Sequence, residues 1–166
     1  MRKLFVWIDR GVEYAVAVVF AAMCLVGLLQ VFNRFVLNQS LSWSEEFQIY
    51  CHVWIVFLSI PLAYRHGAHM SMDYLKRVLP RGVAKGFDFF IELLWIWFAL
   101  SLAWLAWRVS EVAKLQSSPG LELPMNYVYY SMVAGGAYLL LVVLRRIILK
   151  EPPVAHRPEE QHTLAL

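Results

Sequence analysis

Charge is scarce in this sequence: 15 Lys and Arg with 12 Asp and Glu make 16% of 166 residues, against 60% hydrophobic side chains. So few charges cannot cover a water-soluble domain, in which about a quarter of residues are charged. Cysteine is nearly missing too. Cys24 and Cys51 both lie in apolar stretches, which rules out a disulfide framework and predicts buried, inert thiols. Metal-ligand sets are also lacking. His66 and His69 have no Cys or further His beside them, so a closed zinc site has no ligands, and His52 lies at another depth, so paired axial haem ligands do not form. What is abundant excludes disorder: 15% of residues are aromatic, including 7 Trp, far more apolar surface than an unfolded segment carries.

The scarcity of charge is organised into runs. Tyr14 to Asn33, Phe47 to Tyr64, Leu93 to Trp107 and Leu123 to Leu144 contain no Lys, Arg, Asp or Glu. About 20 apolar residues at about 1.5 Å each cross a hydrocarbon core of about 30 Å, so the first, second and fourth suffice as they stand. The third suffices if it starts near Gly86, which brings Asp88 and Glu92 into the helix. The apolar run of the first segment continues through Val31, longer than a signal-peptide core, and is read as a retained helix.

These runs predict an all-α integral membrane protein with a single four-helix domain over residues 1–150. Its helices fall at about 12–36, 43–64, 86–108 and 124–147, and a short amphipathic interfacial helix at about 70–79. Residues 151–166, Pro- and Glu-rich without apolar periodicity, read as a disordered cytoplasmic tail. Twelve of the basic residues fall in the N-terminal arm, the middle loop and the tail, and three in the other two loops. That alternation predicts both termini in the cytoplasm. The mean hydropathy of +0.55 and the formal charge of +3 then reflect topology and anionic headgroups, with nucleic acid no partner.

Several residues stand out along the chain. Ser42-Trp43-Ser44-Glu45 fits a capping box at the start of the second helix, with Trp43 an interface anchor. Glu45 and Glu46 sit at that helix's positive end, and the second carboxylate is a candidate for docking. Arg65, His69 and Asp73 repeat every fourth residue and share a face on a helix; Met72, Leu75, Val78 and Leu79 form the apolar stripe of the interfacial helix. Asp88 and Glu92 also share a face. An acid at that depth needs a partner or a water-filled cavity, and an ion pair with the basic middle loop or with another subunit is favoured over a proton or sodium site. Trp104 and Trp107 read as aromatic-belt anchors. Small residues at helical spacing, Ala17 with Ala21, Ala99 with Ala103 and Ser131 with Gly135, mark close helix contacts. Pro124 sits where a first helical turn tolerates it.

Three of these stretches in order resemble the small, DctQ-like membrane subunit of tripartite ATP-independent periplasmic (TRAP) transporters. They are Ser42-Trp43-Ser44-Glu45-Glu46, the series Arg65, Gly67, His69 and Asp73, and Leu123-Pro124-Met125 with Tyr129 and Gly135. The resemblance covers roughly Leu4 to Lys150. It implies an accessory subunit, not an enzyme, in the bacterial or archaeal cytoplasmic membrane. This chain would brace a large multi-helix transport (M) subunit that moves in elevator fashion. A periplasmic binding protein would deliver an organic acid of the dicarboxylate, keto acid or sialic acid class. Sodium is implied for the whole transporter; no cofactor, metal or substrate site is implied for this chain. Trp43, Glu45, Glu46, Arg65, His69, Asp73, Asp88, Glu92, Pro124 and Gly135 are then subunit-interface or motif residues, none catalytic. Two other readings fit parts of the sequence. A small multidrug proton antiporter would use Glu13, and a respiratory-enzyme membrane anchor would bind haem or quinone.

Overall fold

The computed structural model describes residues 2–65 and 81–149. Four helices fill them: α1 (Arg2–Phe35), α2 (Ser42–Arg65), α3 (Arg81–Ala113) and α4 (Asn126–Leu149). Each contains a segment long and apolar enough to cross a membrane, at Phe5–Phe35, Ser42–Arg65, Phe89–Ala113 and Asn126–Ile148. α1 begins well ahead of residue 12, because nothing between Arg2 and Tyr14 breaks a helix and Asp9 and Glu13 have partners that hold them in it. α2 continues through Pro61, which is fully buried. The interfacial helix expected at 70–79, the tail at 151–166, and His66, Gly67, His69 and Asp73 lie outside the described residues.

The connections explain the helix ends. α1 stops where Asn33 turns back on its own helix, its side-chain N–H donating to Leu29 O at 2.9 Å. Asn38 then adopts φ 53°, a left-handed conformation that Asn tolerates better than most residues. After α3 the chain makes a hairpin-like return. Ser118 N–H donates to Leu123 O at 2.9 Å and Met125 N–H to Gln116 O at 2.9 Å, with an isolated bridge between Ser117 and Pro124. Pro124 therefore sits in this return just ahead of α4, not in its first turn, and Tyr127 N–H reaches back to the Pro124 carbonyl.

In space the helices are ordered α1, α2, α4, α3, with extensive packing only between neighbours in that row among the described residues. Small side chains let α4 sit in the middle. A Cβ on Gly135 would lie 2.5 Å from the Phe57 carbonyl oxygen of α2, and one on Gly136 would lie 3.1 Å from the Ala99 carbonyl oxygen of α3. On α3 the buried residues Ala99, Ala106, Ser110 and Ala113 recur every third, fourth or seventh position and present a narrow face to α4, as close helix approach in membranes requires. Ala17 and Ala21 differ. Both are exposed on α1, so among the described residues the spacing that packs α3 on α4 packs nothing there. Cys24 is likewise exposed, correcting the expectation that both thiols are buried, whereas Cys51 is buried.

The apolar core lies toward the terminal end of the bundle, where α1 begins and α4 ends. Tyr64, Ala99, Tyr138, Leu139, Val142 and Val143 form it, flanked by Ile8, Val12, Ile60 and Trp95. The outer faces of the two edge helices are uncovered: Phe20, Leu25, Leu28 and Phe32 on α1, and Phe89, Trp97, Trp104 and Leu105 on α3, are exposed. Apolar side chains facing outward on this scale are what a bilayer or a second membrane subunit covers.

Candidate functional site

The polar side chains gather at the two ends of the row. At the terminal end, Asp9 of α1 is almost fully buried and is held by three groups from two other helices. Arg65 Nη1 of α2 lies 3.0 Å from Asp9 Oδ2, Arg145 Nη1 of α4 lies 2.8 Å from the same oxygen, and the Tyr138 hydroxyl donates to Oδ1 at 2.8 Å. Glu13, one turn on, adds a 3.3 Å contact to Arg65. The Arg145 guanidinium also stacks over Phe5, 5.2 Å from the ring centre.

A second cluster joins α3 to the same end. Glu92 accepts the Tyr64 hydroxyl at 2.6 Å and faces Arg146 Nε at 3.3 Å, while Arg146 lies over the Tyr64 ring at 5.3 Å. Tyr64 packs edge-on against Trp95, 5.1 Å between ring centres. Glu92 thus has its ion pair within the chain. Its partner among the described residues is Arg146 of α4. Among the described residues, Asp9, Glu13 and Glu92 balance Arg65, Arg145 and Arg146 across the two clusters, three charges of each sign. That balance is what permits the network inside an apolar bundle, where an unpaired charge costs several kcal/mol.

At the loop end Glu46 acts as a latch. Its two carboxylate oxygens accept the backbone N–H groups of Gly120 at 2.9 Å and Leu121 at 2.8 Å, tying the start of α2 to the return between α3 and α4. Gly120 is needed for that approach, because a Cβ there would come within 3.1 Å of the Glu46 carboxylate and the Ser42 carbonyl. Glu45 faces away from this latch and accepts from Gln30 Nε2 of α1 at 3.4 Å; Gln48 donates to Gln30 at 2.7 Å. Ser44, not Ser42, bonds at the helix start, its hydroxyl donating to Leu41 O at 2.7 Å. A mostly apolar pocket of about 290 Å³ lies under the loop between Glu46, Ile49, Tyr50, Ser118, Met125 and Tyr129.

The residues singled out in the sequence therefore separate. Arg65 and Glu92 meet in adjoining clusters at the terminal end. Glu45 and Glu46 share a helix start but bond in different directions, Trp43 packs edge-on with Phe47, and Gly135 is a packing residue. Asp88 lies in α3, but its side chain is outside the described residues. Arg65 pairs with Asp9 and Glu13, and the other members of its sequence series, His69 and Asp73, are outside the described residues. The central residue of the network, Asp9, is not prominent in the sequence. Its spacing of four from Glu13 is the one signal, and it disappears if helix one is started after it. No group of three or more His, Cys, Asp or Glu able to hold a metal occurs among the described residues.

Comparison with known proteins now adds to this geometry. The DctQ component of tripartite ATP-independent periplasmic transporters matches residues 23–151. A Haemophilus influenzae protein assigned as a TRAP transporter small permease protein is 24% identical over 151 residues, covering 89% of this chain and 92% of that protein. A second protein from that organism with the same assignment is 20% identical over 131 residues, 79% of each. The sialic acid TRAP transporter permease protein SiaT of Haemophilus influenzae is 28% identical over 88 residues, 53% of this chain but 14% of that longer protein. Matched over most of its length and built from four membrane-crossing helices, this chain belongs to the DctQ family, the small membrane subunits of TRAP transporters.

Proposed function

We propose that this chain is a scaffold, bracing a large transport subunit in the cytoplasmic membrane while that subunit moves substrate. The single observation that carries the reading is the pairing of Asp9, Glu13 and Glu92 within the chain. Asp9, Glu13 and Glu92 each face a guanidinium of the same chain, which leaves these carboxylates engaged instead of lining a path for an ion or an organic acid. Clamps at both ends, the charge clusters and the Glu46 latch, suit a part that holds its shape. The exposed apolar edges of α1 and α3 suit a part that is covered by lipid and protein.

In this reading the terminal end is cytoplasmic, as the distribution of basic residues favours, and the loop end faces the compartment where a binding protein delivers substrate. The transporter takes up an organic acid of the dicarboxylate, keto acid or sialic acid class with sodium, and selectivity and ion coupling belong to the large subunit and the binding protein. Contact with a large membrane subunit gains support from the longer SiaT relative, in which a segment similar to this chain is part of a single permease protein. The proton-antiporter reading would use Glu13, which here pairs with Arg65 of α2.

The test is to tag the chain in its native host, extract it in mild detergent and identify what co-purifies. A large polytopic protein at one-to-one stoichiometry is expected, with sodium-driven uptake of an organic acid lost from vesicles when this chain is omitted. A lone homodimer, or uptake that proceeds at full rate without this chain, would remove the scaffold reading.

A further inference from the structure

The exposed residues of α2 do not scatter around the helix. Ser42, Glu45, Ile49, His52, Val56 and Ala63 are spaced by three, four or seven and fall on one face, because residues at those intervals return to the same side of a helix. α1 and α4 cover the flanks of α2, which leaves this single stripe open. Most of it would be at ease against lipid tails. His52 is the exception.

His52 lies inside the membrane-crossing segment Ser42–Arg65, five residues or about 8 Å in from Phe47, where the charge-free run of α2 starts. Its imidazole offers one N–H donor and one acceptor when neutral and two donors when charged. Its side chain is exposed, and no contact to it from the described residues of this chain satisfies those groups. Unlike Lys or Arg, histidine has no long stem with which to reach a headgroup from that depth. Polar groups so placed face protein or a water-filled cavity, since lipid tails satisfy neither donor nor acceptor. Asp9, Glu13 and Glu92 already have partners within the chain, whereas the hydrogen-bonding groups of His52 find none among the described residues and call for another molecule.

We infer that the α2 stripe from Ile49 through Val56 is a docking face for a transmembrane helix of the large transport subunit, and that this helix presents a hydrogen-bonding side chain level with His52. The inference rests on the scaffold reading above and adds to it the face and the chemistry of contact. Ile49 and Val56 supply the apolar shoulders, and Ala63 permits close approach toward the terminal end. Complementarity is then one polar group against one polar group in an otherwise apolar contact, an arrangement that fixes both the depth and the rotation of the partner helix.

The experiment places a photo-crosslinking benzoylphenylalanine at Ile49 or at Val56 of the full chain, in membranes that also contain the large subunit, and adds H52L and H52Q variants to the co-purification assay. Crosslinks from both positions to the large subunit are expected. H52L should lower the recovered complex about threefold to tenfold, the range for one interhelical hydrogen bond in a membrane, and H52Q, which keeps a donor and an acceptor, should retain most of it. The isolated H52L chain should unfold no earlier than wild type, because an exposed leucine suits lipid or detergent at least as well as histidine. Crosslinks confined to lipid or to a second copy of this chain, with the large subunit still co-purifying, would overturn the docking face and leave the scaffold reading intact. Absence of the large subunit from the preparation would sink both.

Discussion

Asp9 carries more of this structure than any residue that stands out in the sequence. Two guanidiniums and a phenol converge on it from α2 and α4, and removing one side of a buried ion pair costs about 3–5 kcal/mol. Asp9→Asn keeps an acceptor for Tyr138 but removes the negative charge that Arg65 and Arg145 share, so it should unfold at a clearly lower temperature in detergent, measured by exposure of the Cys51 thiol to a fluorogenic maleimide. Glu13 offers a comparison in the same cluster. It is 42% exposed and pairs with an arginine that is 33% exposed, so Glu13→Gln should cost within about 1 kcal/mol. If both variants unfold together with wild type, the cluster does not hold the helices. Glu92 is legible in the sequence because a carboxylate deep in an apolar run has to be explained, whereas Asp9 lies among the charges of an arm and looks ordinary until α1 is extended through it.

Helices one, two and four can be read from the lengths of charge-free runs, and helix three once its run is extended back past Glu92, since only a helix satisfies the backbone over such a span in lipid. Their order in space cannot, because hydropathy says which residues avoid water and not which neighbour covers them. Glycine positions decide that question here. Gly135→Ala would put a methyl group 2.5 Å from a backbone oxygen and 3.0 Å from a backbone carbon of Phe57; backbone cannot rotate aside, so α2 and α4 must part, at a cost of about 1–3 kcal/mol. Gly86→Ala meets nothing within 4 Å in α3 and should instead stabilise by about 0.5–1 kcal/mol through helix propensity. Opposite shifts in the unfolding temperature are expected. A Gly135→Ala protein as stable as wild type would contradict the close approach of α4 to α2. The small-residue spacings were informative on α3 and α4, where Ala99 and Ser131 are fully buried, and misleading for intrachain packing on α1, where the same pattern faces outward.

At the scale of the whole molecule, the row is clamped at the terminal end by charge pairs from all four helices and at the loop end by Glu46. Cys51, buried on α2, should stay unreactive until the row opens, while exposed Cys24 is modified in the folded protein in detergent; simultaneous reaction of both thiols in native conditions would argue against the packing of α2. The order of helices in the row also differs from their order along the chain. α4 lies between α2 and α3, and α3 meets α2 chiefly through Tyr64, which reaches Glu92 and Trp95. As the protein is made, α3 therefore enters the membrane before the surface it packs against exists. Its small-residue face waits for the last helix to be threaded into the gap, and until Leu149 has left the ribosome the first three helices cannot reach their finished arrangement. A ribosome stalled before α4 would leave α3 free in the bilayer, a vacancy that quality-control proteases or a wrong partner would meet first.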